Sequence, residues 1–185
     1  VLDILKREEP THICVAFDTA EPTQRHIEFP EYKAQRDAMP EDIATQLPYI
    51  DRLLDALNIQ VIRKPGYEAD DVIGTLAIRS SEAGLGVLIS TGDKDMAQLV
   101  SERIILVNTM TETEMDPDGV FEKFGVRPDQ IIDYLALVGD TSDNIPGVPK
   151  CGPKTAVKWL ATYDSLNGVM SRADEVKGKV GESLR

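Results

Sequence analysis

The sequence predicts an α/β fold in which a mostly parallel central sheet is flanked by helices and followed by a helical part. Strands are predicted from short, continuous apolar runs, which are typical of strands buried on both faces. Four such runs span residues 13–17, 59–62, 87–90 and 104–107. Helical patterns separate them, and strands that alternate with helices favour a parallel sheet.

The helices are predicted from apolar residues at helical spacing and from signals at their ends. Residues 39–42 (Met-Pro-Glu-Asp) begin a helix that continues to about Leu57, and another runs from about residue 69 to residue 83. A short helix carries Met96 and Leu99. Beyond residue 108 the helical part begins, with helices that start at prolines: Pro117, Pro128 and Pro153.

Length and composition predict one domain, or one domain with a small appendage, for the 185 residues. We expect an α/β core at residues 1–110, with a polar irregular segment at 19–39, and a helical part at 111–185. Hydrophobic residues make up 42% of the chain, but there is no apolar run of membrane-spanning length. Residues 1–7 resemble the tail of a helix, so we expect upstream sequence. Two cysteines without metal-ligand spacing favour a reducing cytosol.

Eight carboxylates occur in four short blocks: Asp18; Glu68, Asp70 and Asp71; Asp93 and Asp95; Asp140 and Asp143. Clustered carboxylates repel one another, and hard divalent cations such as Mg²⁺ prefer all-oxygen surroundings. Asp18 and Asp93 each follow a predicted strand, at the end of a parallel sheet where ligands bind. Two such ions close together are a common device for cutting phosphodiesters, so the pattern predicts a metal-dependent nuclease.

Each block also has an ordinary explanation when it is taken alone. Acids at residues 68–71 would stabilise a helix N-terminus, and Asp93 could cap the turn after a strand. An Asp-x-Asp pair such as Asp93 and Asp95 also occurs in phosphatases with an aspartyl nucleophile, although the other blocks would then have no role. Asp140 and Asp143 follow a helix C-terminus, which disfavours acids unless a cation is bound there.

The net charge of −12 argues against a plain basic nucleic-acid binder. Two bound Mg²⁺ would offset half of the eight clustered negative charges. Lys and Arg side chains placed nearby would then have to bind the phosphate. Residues 147–156 resemble a helix–hairpin–helix, which offers backbone N–H groups and lysines to a DNA phosphate. His12 and His26 are expected to be structural or surface residues, and Trp159 is expected in the core.

Taken together, these motifs resemble a known family over about residues 12–165. They are Phe17-Asp18, Tyr32-Lys33-x-x-Arg36, Met39-Pro40, Glu68-Ala69-Asp70-Asp71, Thr91-Gly92-Asp93-Lys94-Asp95-Met96, the run from Gly139 to Val148, and Lys154-Thr155-Ala156. They recur in this order in the 5′-nuclease domain of bacterial DNA polymerase I, which is similar to phage 5′-exonucleases and flap endonucleases. The resemblance implies the PIN-like fold of 5′ nucleases.

The resemblance implies a structure-specific 5′-3′ exonuclease and flap endonuclease that uses two Mg²⁺ or Mn²⁺ ions in replication and repair. Asp18, Glu68 and Asp70 would hold the first ion, with Asp71 as an outer ligand. Asp93 and Asp95, with Asp140 and Asp143, would serve the second. The residues implied as catalytic are Asp18, Lys33, Arg36, Asp70 and Asp93.

The resemblance further implies that residues 19–39 form an arch around the 5′ strand, from which Lys33 and Arg36 reach the scissile phosphate. The hairpin would grip the duplex and could hold a K⁺ on its carbonyls. The residues implied in DNA binding are Arg25, Tyr32, Lys33, Arg36, Gly147, Val148, Lys150, Gly152, Lys154 and Thr155. Expected partners are DNA with 5′ flaps, nicks or ends and RNA–DNA primers. A monomer in the bacterial cytoplasm, near the nucleoid and without membrane contact, is expected to form part of a longer polymerase chain.

The sequence departs from the family pattern in three places. It begins after the family's first strand, whose Asp is a first-metal ligand; Lys150 stands where the hairpin usually has Gly; and it stops soon after the hairpin. An alternative function is therefore a catalytically incomplete fragment that binds branched or duplex DNA without cutting. A ribonuclease with a related acidic pocket is a third hypothesis, which the helix–hairpin–helix disfavours.

Overall fold

The computed structural model describes residues 1–176 and 178–184. The chain forms two compact units, which are described separately below. Unit 1 comprises Val1–Glu28 and Arg36–Ile73, and unit 2 comprises Phe29–Gln35 and the chain from Gly74 onward. Among the described residues, no helix combines the length and apolar character that crossing a bilayer requires.

Unit 1 is built around one pair of parallel strands. Its elements are α1 (Leu2–Glu8), β1 (Cys14–Phe17), α2 (Gln24–Glu28), α3 (Glu41–Ala44), α4 (Leu47–Ala56), β2 (Gln60–Arg63) and the first turn of α5 (Ala69–Glu82). Val15 pairs with Val61 in the parallel register. Leu54 of α4 and Ile59 beside β2 are buried, so the helix covers the strand pair through its apolar face.

Unit 2 contains a second small sheet and the helical part. Its elements are the rest of α5, β3 (Val87–Ser90), β4 (Ile104–Asn108), β5 (Thr113–Met115), α6 (Pro117–Phe124), α7 (Ile131–Val138), β6 (Gly139–Asp140), β7 (Ile145–Pro146), α8 (Pro153–Tyr163), α9 (Leu166–Ser171) and α10 (Lys179–Leu184). Turns of 3₁₀ helix span Lys94–Leu99, Pro128–Gln130 and Ala173–Glu175. β3 and β4 are parallel, and β5 adds antiparallel to β4.

The core of unit 2 is made of aliphatic and aromatic side chains from the sheet and from the helical part. Ile89 and Leu106 are buried in the sheet, while Leu137 of α7 and Leu160 of α8 are almost fully buried in the helical part. Trp159 is also buried, as the sequence predicted. Because α7 and α8 share this core, the turn that joins them is held at both ends.

The predicted parallel pairing of strands is present, but the sheets and one helix differ in detail from the prediction. The parallel strands belong to two separate sheets, β1 with β2 and β3 with β4, and the short antiparallel β5 was not predicted. The helix predicted from residue 39 to Leu57 is divided into α3 and α4. Pro48 explains the division, because proline lacks an N–H and fits only the first turn of a helix, where α4 places it.

Candidate functional sites

The carboxylates predicted for the first ion are brought together in unit 1. This first acidic cluster consists of Asp18, Glu68, Asp70 and Asp71. Asp18 directly follows β1, and its Oδ1 accepts a 2.7 Å hydrogen bond from the backbone N–H of Ala69. Ala69 is the first residue of α5. The end of the strand is thus fastened to the start of the helix, and the helix N-terminus favours the negative charge.

Arg25 supplies positive charge to the first acidic cluster. Its two terminal nitrogens lie 2.8 and 2.7 Å from the two carboxylate oxygens of Asp71. One of them is also 3.6 Å from Oε2 of Glu68, whose side chain is only 10% exposed. Such a fork-to-fork pair is among the stronger charge-assisted contacts. Arg25 was predicted to contact DNA; in the structure, its guanidinium compensates the buried Glu68 and its neighbour.

The carboxylates predicted for the second ion lie in unit 2. This second acidic cluster consists of Asp93, Asp95, Asp140 and Asp143. Asp93 follows β3, donates its N–H to Oγ1 of Thr91 at 3.0 Å and accepts from the N–H of Asp95 at 2.9 Å. Asp140 follows α7, is buried, and accepts from the N–H of Ser142 at 2.7 Å. Backbone donors therefore orient both carboxylates.

Lys94 lies within the second acidic cluster. Its Nζ is 3.0 Å from Oδ2 of Asp140. Burial alone would lower the pKa of Lys94, but the hydrogen bond and charge of Asp140 raise it overall. Burial likewise opposes the ionisation of Asp140, yet the contacts with Lys94 and Ser142 hold its pKa below the usual value. Both groups are therefore charged at neutral pH.

Asp95 is the carboxylate of this cluster whose pKa is raised. Burial, followed by the charges of Asp93 and Asp140, raises its pKa to about 6, despite the opposing charge of Lys94. Its Oδ1 is buried and has no hydrogen-bond partner in the described part of the chain. An ionised carboxylate with an unsatisfied buried oxygen costs free energy unless a cation is close. The donor set of the cluster therefore fits a hard divalent cation, which takes oxygen ligands.

The side chains are not arranged as a formed metal centre in the part of the chain that the structure describes. No group of three or more His, Cys, Asp and Glu residues there has the geometry to hold a metal ion. The carboxylates of Asp71 and Asp140 are instead paired with Arg25 and Lys94. Those two basic side chains compensate charge that a divalent cation would otherwise compensate.

The segment that carries Lys33 is fastened to the loop of the second acidic cluster. Residues 29–35, here called the strap, meet residues 141–144 through several hydrogen bonds. The hydroxyl of Tyr32 donates to Oδ2 of Asp143 at 3.0 Å, and the N–H of Lys33 donates to the carbonyl of Asp143 at 3.1 Å. Gln35 Nε2 donates to the carbonyls of Thr141 and Ser142 at 2.9 and 3.0 Å.

The geometry of the strap changes how two predictions are understood. Tyr32 was predicted to contact DNA, but it is only 5% exposed, so its ring would have to leave this position to meet a base. Lys33 adopts a left-handed backbone conformation with φ of 55°, which is uncommon for a lysine. The structure places Arg36 in unit 1, just beyond the strap. Lys33 and Arg36 thus belong to different units.

The predicted hairpin joins α7 to α8. The N–H of Val148 donates to the carbonyl of Leu137, and that of Cys151 to the carbonyl of Val148, both at 2.9 Å. Gly147 lies so close to the backbone of Val138 and Gly139 that a Cβ would overlap with it. Lys150, at the exposed tip, has a φ of 66°.

The positive charges of the hairpin lie on its exposed side. Lys150, Lys154 and Lys158 are exposed, whereas Thr155 is half-buried. Gly152 precedes α8 with extended backbone, and Lys154 lies in the first turn of that helix. Backbone N–H groups at a helix start and nearby lysines are suitable for a phosphate.

Some residues of these sites were given no role from the sequence. Lys94 lies between two predicted ligands, and that position could have identified it as their counterion. Gln35 and Asn144 carry no local signal, because each acts on a segment more than a hundred positions away: Nδ2 of Asn144 donates to the carbonyl of Glu31 at 2.8 Å. Thr91 could have been found as the residue that orients the turn after β3.

Comparison with known families gives a match over the whole chain. The family model described as "5′-3′ exonuclease, N-terminal resolvase-like domain" matches residues 1–125. The model described as "5′-3′ exonuclease, C-terminal SAM fold" matches residues 126–185. The two models meet at the start of the segment that contains α7 and α8.

Several curated relatives are DNA polymerases I. The enzyme of Mycobacterium bovis is 44% identical over 189 residues, covering 100% of this chain and 21% of the relative. That of Bacillus caldotenax is 45% identical, covering 98% of this chain and 21% of the relative. That of Pseudomonas aeruginosa is 52% identical over 160 residues, covering 86% and 18%. The chain thus spans about a fifth of the length of these relatives.

Solved structures share the fold at low sequence identity. A mutant of T5 5′-exonuclease matches with a TM-score of 0.86 at 20% identity, covering 99% of this chain and 71% of the other. T5 5′-exonuclease with bound zinc ions gives 0.82 at 22%, covering 99% and 72%. The catalytic core of Rad2 in complex with DNA gives 0.56 at 17%, covering 91% and 55%. These likenesses confirm the fold class that the sequence predicted.

Proposed function

This chain belongs to the 5′-3′ exonuclease family, and on that premise we propose that it hydrolyses phosphodiesters of DNA as a structure-specific 5′-3′ exonuclease and flap endonuclease. One observation carries the proposal beyond the family. Each acidic cluster includes a carboxylate that follows a parallel strand, Asp18 after β1 and Asp93 after β3, and the second contains a buried carboxylate oxygen, Oδ1 of Asp95, without a partner among the described residues.

The proposed ligands are the eight clustered carboxylates. Asp18, Glu68 and Asp70 would hold one ion, with Asp71 as an outer ligand, and Asp93, Asp95, Asp140 and Asp143 would serve another. Two Mg²⁺ or Mn²⁺ ions would supply positive charge to the phosphate and lower the pKa of the attacking water. The chain itself fixes the ligands: Ala69 N–H orients Asp18, and Ser142 N–H orients Asp140.

The strap and Arg36 supply the proposed cations on the substrate side. In our proposal, residues 19–39 form an arch, and Lys33 and Arg36 stabilise the negative charge that develops on the scissile phosphate. The hydrogen bonds between the strap and residues 141–144 support this role, because they hold the backbone of Lys33 next to Asp143, and its Nζ lies 4.8 Å from the centroid of the Tyr32 ring. A positioned cation is worth more than a mobile one, since its ordering cost is already met.

The helix–hairpin–helix is the proposed grip on duplex DNA. Its contacts would be the backbone of Gly147, Val148 and Gly152 together with the side chains of Lys150, Lys154 and Thr155. The exposed lysines at the start of α8 support this assignment. A K⁺ on the hairpin carbonyls is part of the same proposal. The helical part at residues 111–185 would then act as the DNA-binding module beside an α/β core at residues 1–110.

The proposed substrates are DNA with 5′ flaps, nicks or ends and RNA–DNA primers, in replication and repair. The relatives support this context, because they are DNA polymerases I whose chains are about five times longer than the matched segment. We propose that the chain works as a monomeric part of such a polymerase in the bacterial cytoplasm.

The test is cleavage of a labelled 5′-flap DNA with Mg²⁺ and with EDTA. We expect release of the flap by the wild type with Mg²⁺ alone. Asp93→Asn should lower the rate at least about a hundredfold, because a neutral amide is a poorer ligand than a carboxylate. Binding of the flap in Ca²⁺ should change little. Asp118→Asn, at an exposed position of α6, is the control; an Asp93→Asn protein as active as this control would refute the proposal.

A second candidate function is binding of branched or duplex DNA without cleavage. It is favoured by the pairs of Arg25 with Asp71 and of Lys94 with Asp140, in which basic side chains compensate predicted metal ligands. The same experiment separates the two. Flap binding without Mg²⁺-dependent cleavage in the wild type would support the binding module and refute the nuclease.

A further inference from the structure

Lys94 is a basic residue placed among the carboxylates of the second acidic cluster. It lies between Asp93 and Asp95 in sequence, and its Nζ is 3.0 Å from Oδ2 of Asp140. The Asp140 side chain is 6% exposed, whereas that of Lys94 is 39% exposed. The buried carboxylate of Asp140 is thus paired with a partly exposed ammonium.

Lys94 pairs with one carboxylate of the second acidic cluster, Asp140. Oδ1 of Asp95, although buried, has no hydrogen-bond donor among the described residues. Lys94 therefore compensates Asp140 without a metal, but it leaves the buried oxygen of Asp95 for a divalent cation to compensate.

We propose that Lys94 is a built-in counterion that competes with a divalent cation for Asp140 and so sets the affinity of the second acidic cluster for that cation. The inference rests on the proposed function, in that the cluster is taken to bind a cation. A bound ion and an ammonium at the same carboxylate repel each other. Binding must therefore displace Lys94 towards solvent, where its half-exposed stem can follow.

The proposal predicts that removing the charge of Lys94 raises the affinity of the protein for Mn²⁺. Lys94→Met keeps the length and apolar stem but removes the charge, so the ion no longer has to displace a cation. We expect Mn²⁺ to bind about tenfold more tightly to this variant in a calorimetric titration without DNA. Lys94→Arg keeps the charge and should bind Mn²⁺ like the wild type.

Thermal unfolding provides a second readout that needs neither DNA nor cleavage. In EDTA, Lys94→Met should unfold at a lower temperature than the wild type, since the carboxylates have lost their counterion. Excess Mn²⁺ should raise its midpoint by more than that of the wild type, because tighter binding to the folded state stabilises it more. Lys94→Gln repeats the charge removal with a polar tip, in case methionine disturbs folding.

The outcomes separate the inference from the proposed function. Equal or weaker Mn²⁺ binding by Lys94→Met and Lys94→Gln would overturn the counterion role. If these variants lose only DNA binding, Lys94 is a phosphate contact, and the counterion role is overturned as well. No Mn²⁺ binding by any of the proteins would overturn it as well. A wild type that binds Mn²⁺ but does not cut flap DNA would refute the nuclease and leave the counterion role standing.

Discussion

At the scale of single residues, the acidic clusters are shaped as much by their cations as by their carboxylates. Arg25 forms a forked pair with Asp71, and Lys94 pairs with Asp140. The sequence shows where acids are concentrated, because they are near one another along the chain. It does not show that Arg25, 46 positions before Asp71, pairs with that carboxylate.

Asp95 gives a prediction about stability and pH. Its pKa is raised to about 6 in the folded protein, so folding favours the protonated form. Stability should therefore fall as the pH rises from about 4 to 6 and stay reduced above that. Asp95→Asn removes the penalty. We expect it to be more stable than the wild type at pH 7.5 in EDTA, by about 1 kcal/mol after allowing for solvent screening, or about 2–4 °C.

The measurement is the unfolding temperature of both proteins at pH 7.5 and pH 4, where the difference should disappear. Asp129 provides a control whose pKa is shifted in the opposite direction, because the hydrogen bond from Arg127 lowers it. Asp129→Asn should thus give no gain in stability at pH 7.5. If Asp95→Asn proves less stable than the wild type at pH 7.5, the buried carboxylate is satisfied in a way that the structure does not show.

At the scale of elements, local signals predicted what lies next to each strand but not what lies across the fold. Asp18 and Asp93 were placed at strand ends, because short apolar runs and the polar residues after them are visible in sequence. The helix start at Asp116 was also predictable, and its side chain accepts from Gly119 N–H at 2.8 Å. The docking of the strap could not be predicted, because it joins segments more than a hundred residues apart through polar groups that show no periodicity.

The strap gives a prediction about local opening. Tyr32→Phe keeps the buried ring and removes the hydroxyl that donates to Asp143. A lost hydrogen bond of this kind costs about 1 kcal/mol, so opening of the strap should become about fivefold more frequent. Hydrogen exchange should then accelerate at the N–H of Lys33, which donates to the Asp143 carbonyl. The readout is mass spectrometry of the peptide that contains residues 29–35.

Tyr49→Phe is the matched control, because the Tyr49 side chain lies exposed on α4. It should leave exchange of residues 29–35 unchanged. Equal exchange in Tyr32→Phe and the wild type would mean that Gln35 and Asn144 hold the strap without the tyrosine. In that case, the hydroxyl would have no anchoring role, and Tyr32 would contribute only its buried ring.

At the scale of the whole molecule, charge decides how the chain can meet DNA. The net charge is −12, and the two acidic clusters account for eight of the negative charges. Such a chain repels a phosphate backbone unless cations compensate the clusters and local lysines face the DNA. The sequence alone predicted that the hairpin lysines contact DNA, because their spacing is a local feature of the chain. Local patterns could not predict the division into two units, because residues 29–35 belong to a unit whose other residues begin only at Gly74.

The hairpin lysines give a prediction about salt dependence. Lys154 is exposed in the first turn of α8, where a phosphate contact would release one counterion. Lys154→Ala should weaken binding of a 5′-flap duplex and make the slope of log K against log salt shallower by about 0.9. The measurement is fluorescence anisotropy in Ca²⁺ between 50 and 200 mM salt. Lys123→Ala, an exposed lysine of α6, should keep the wild-type slope. Identical slopes in Lys154→Ala and the wild type would remove α8 from the interface, and the grip on DNA would have to come from the strap and its neighbours.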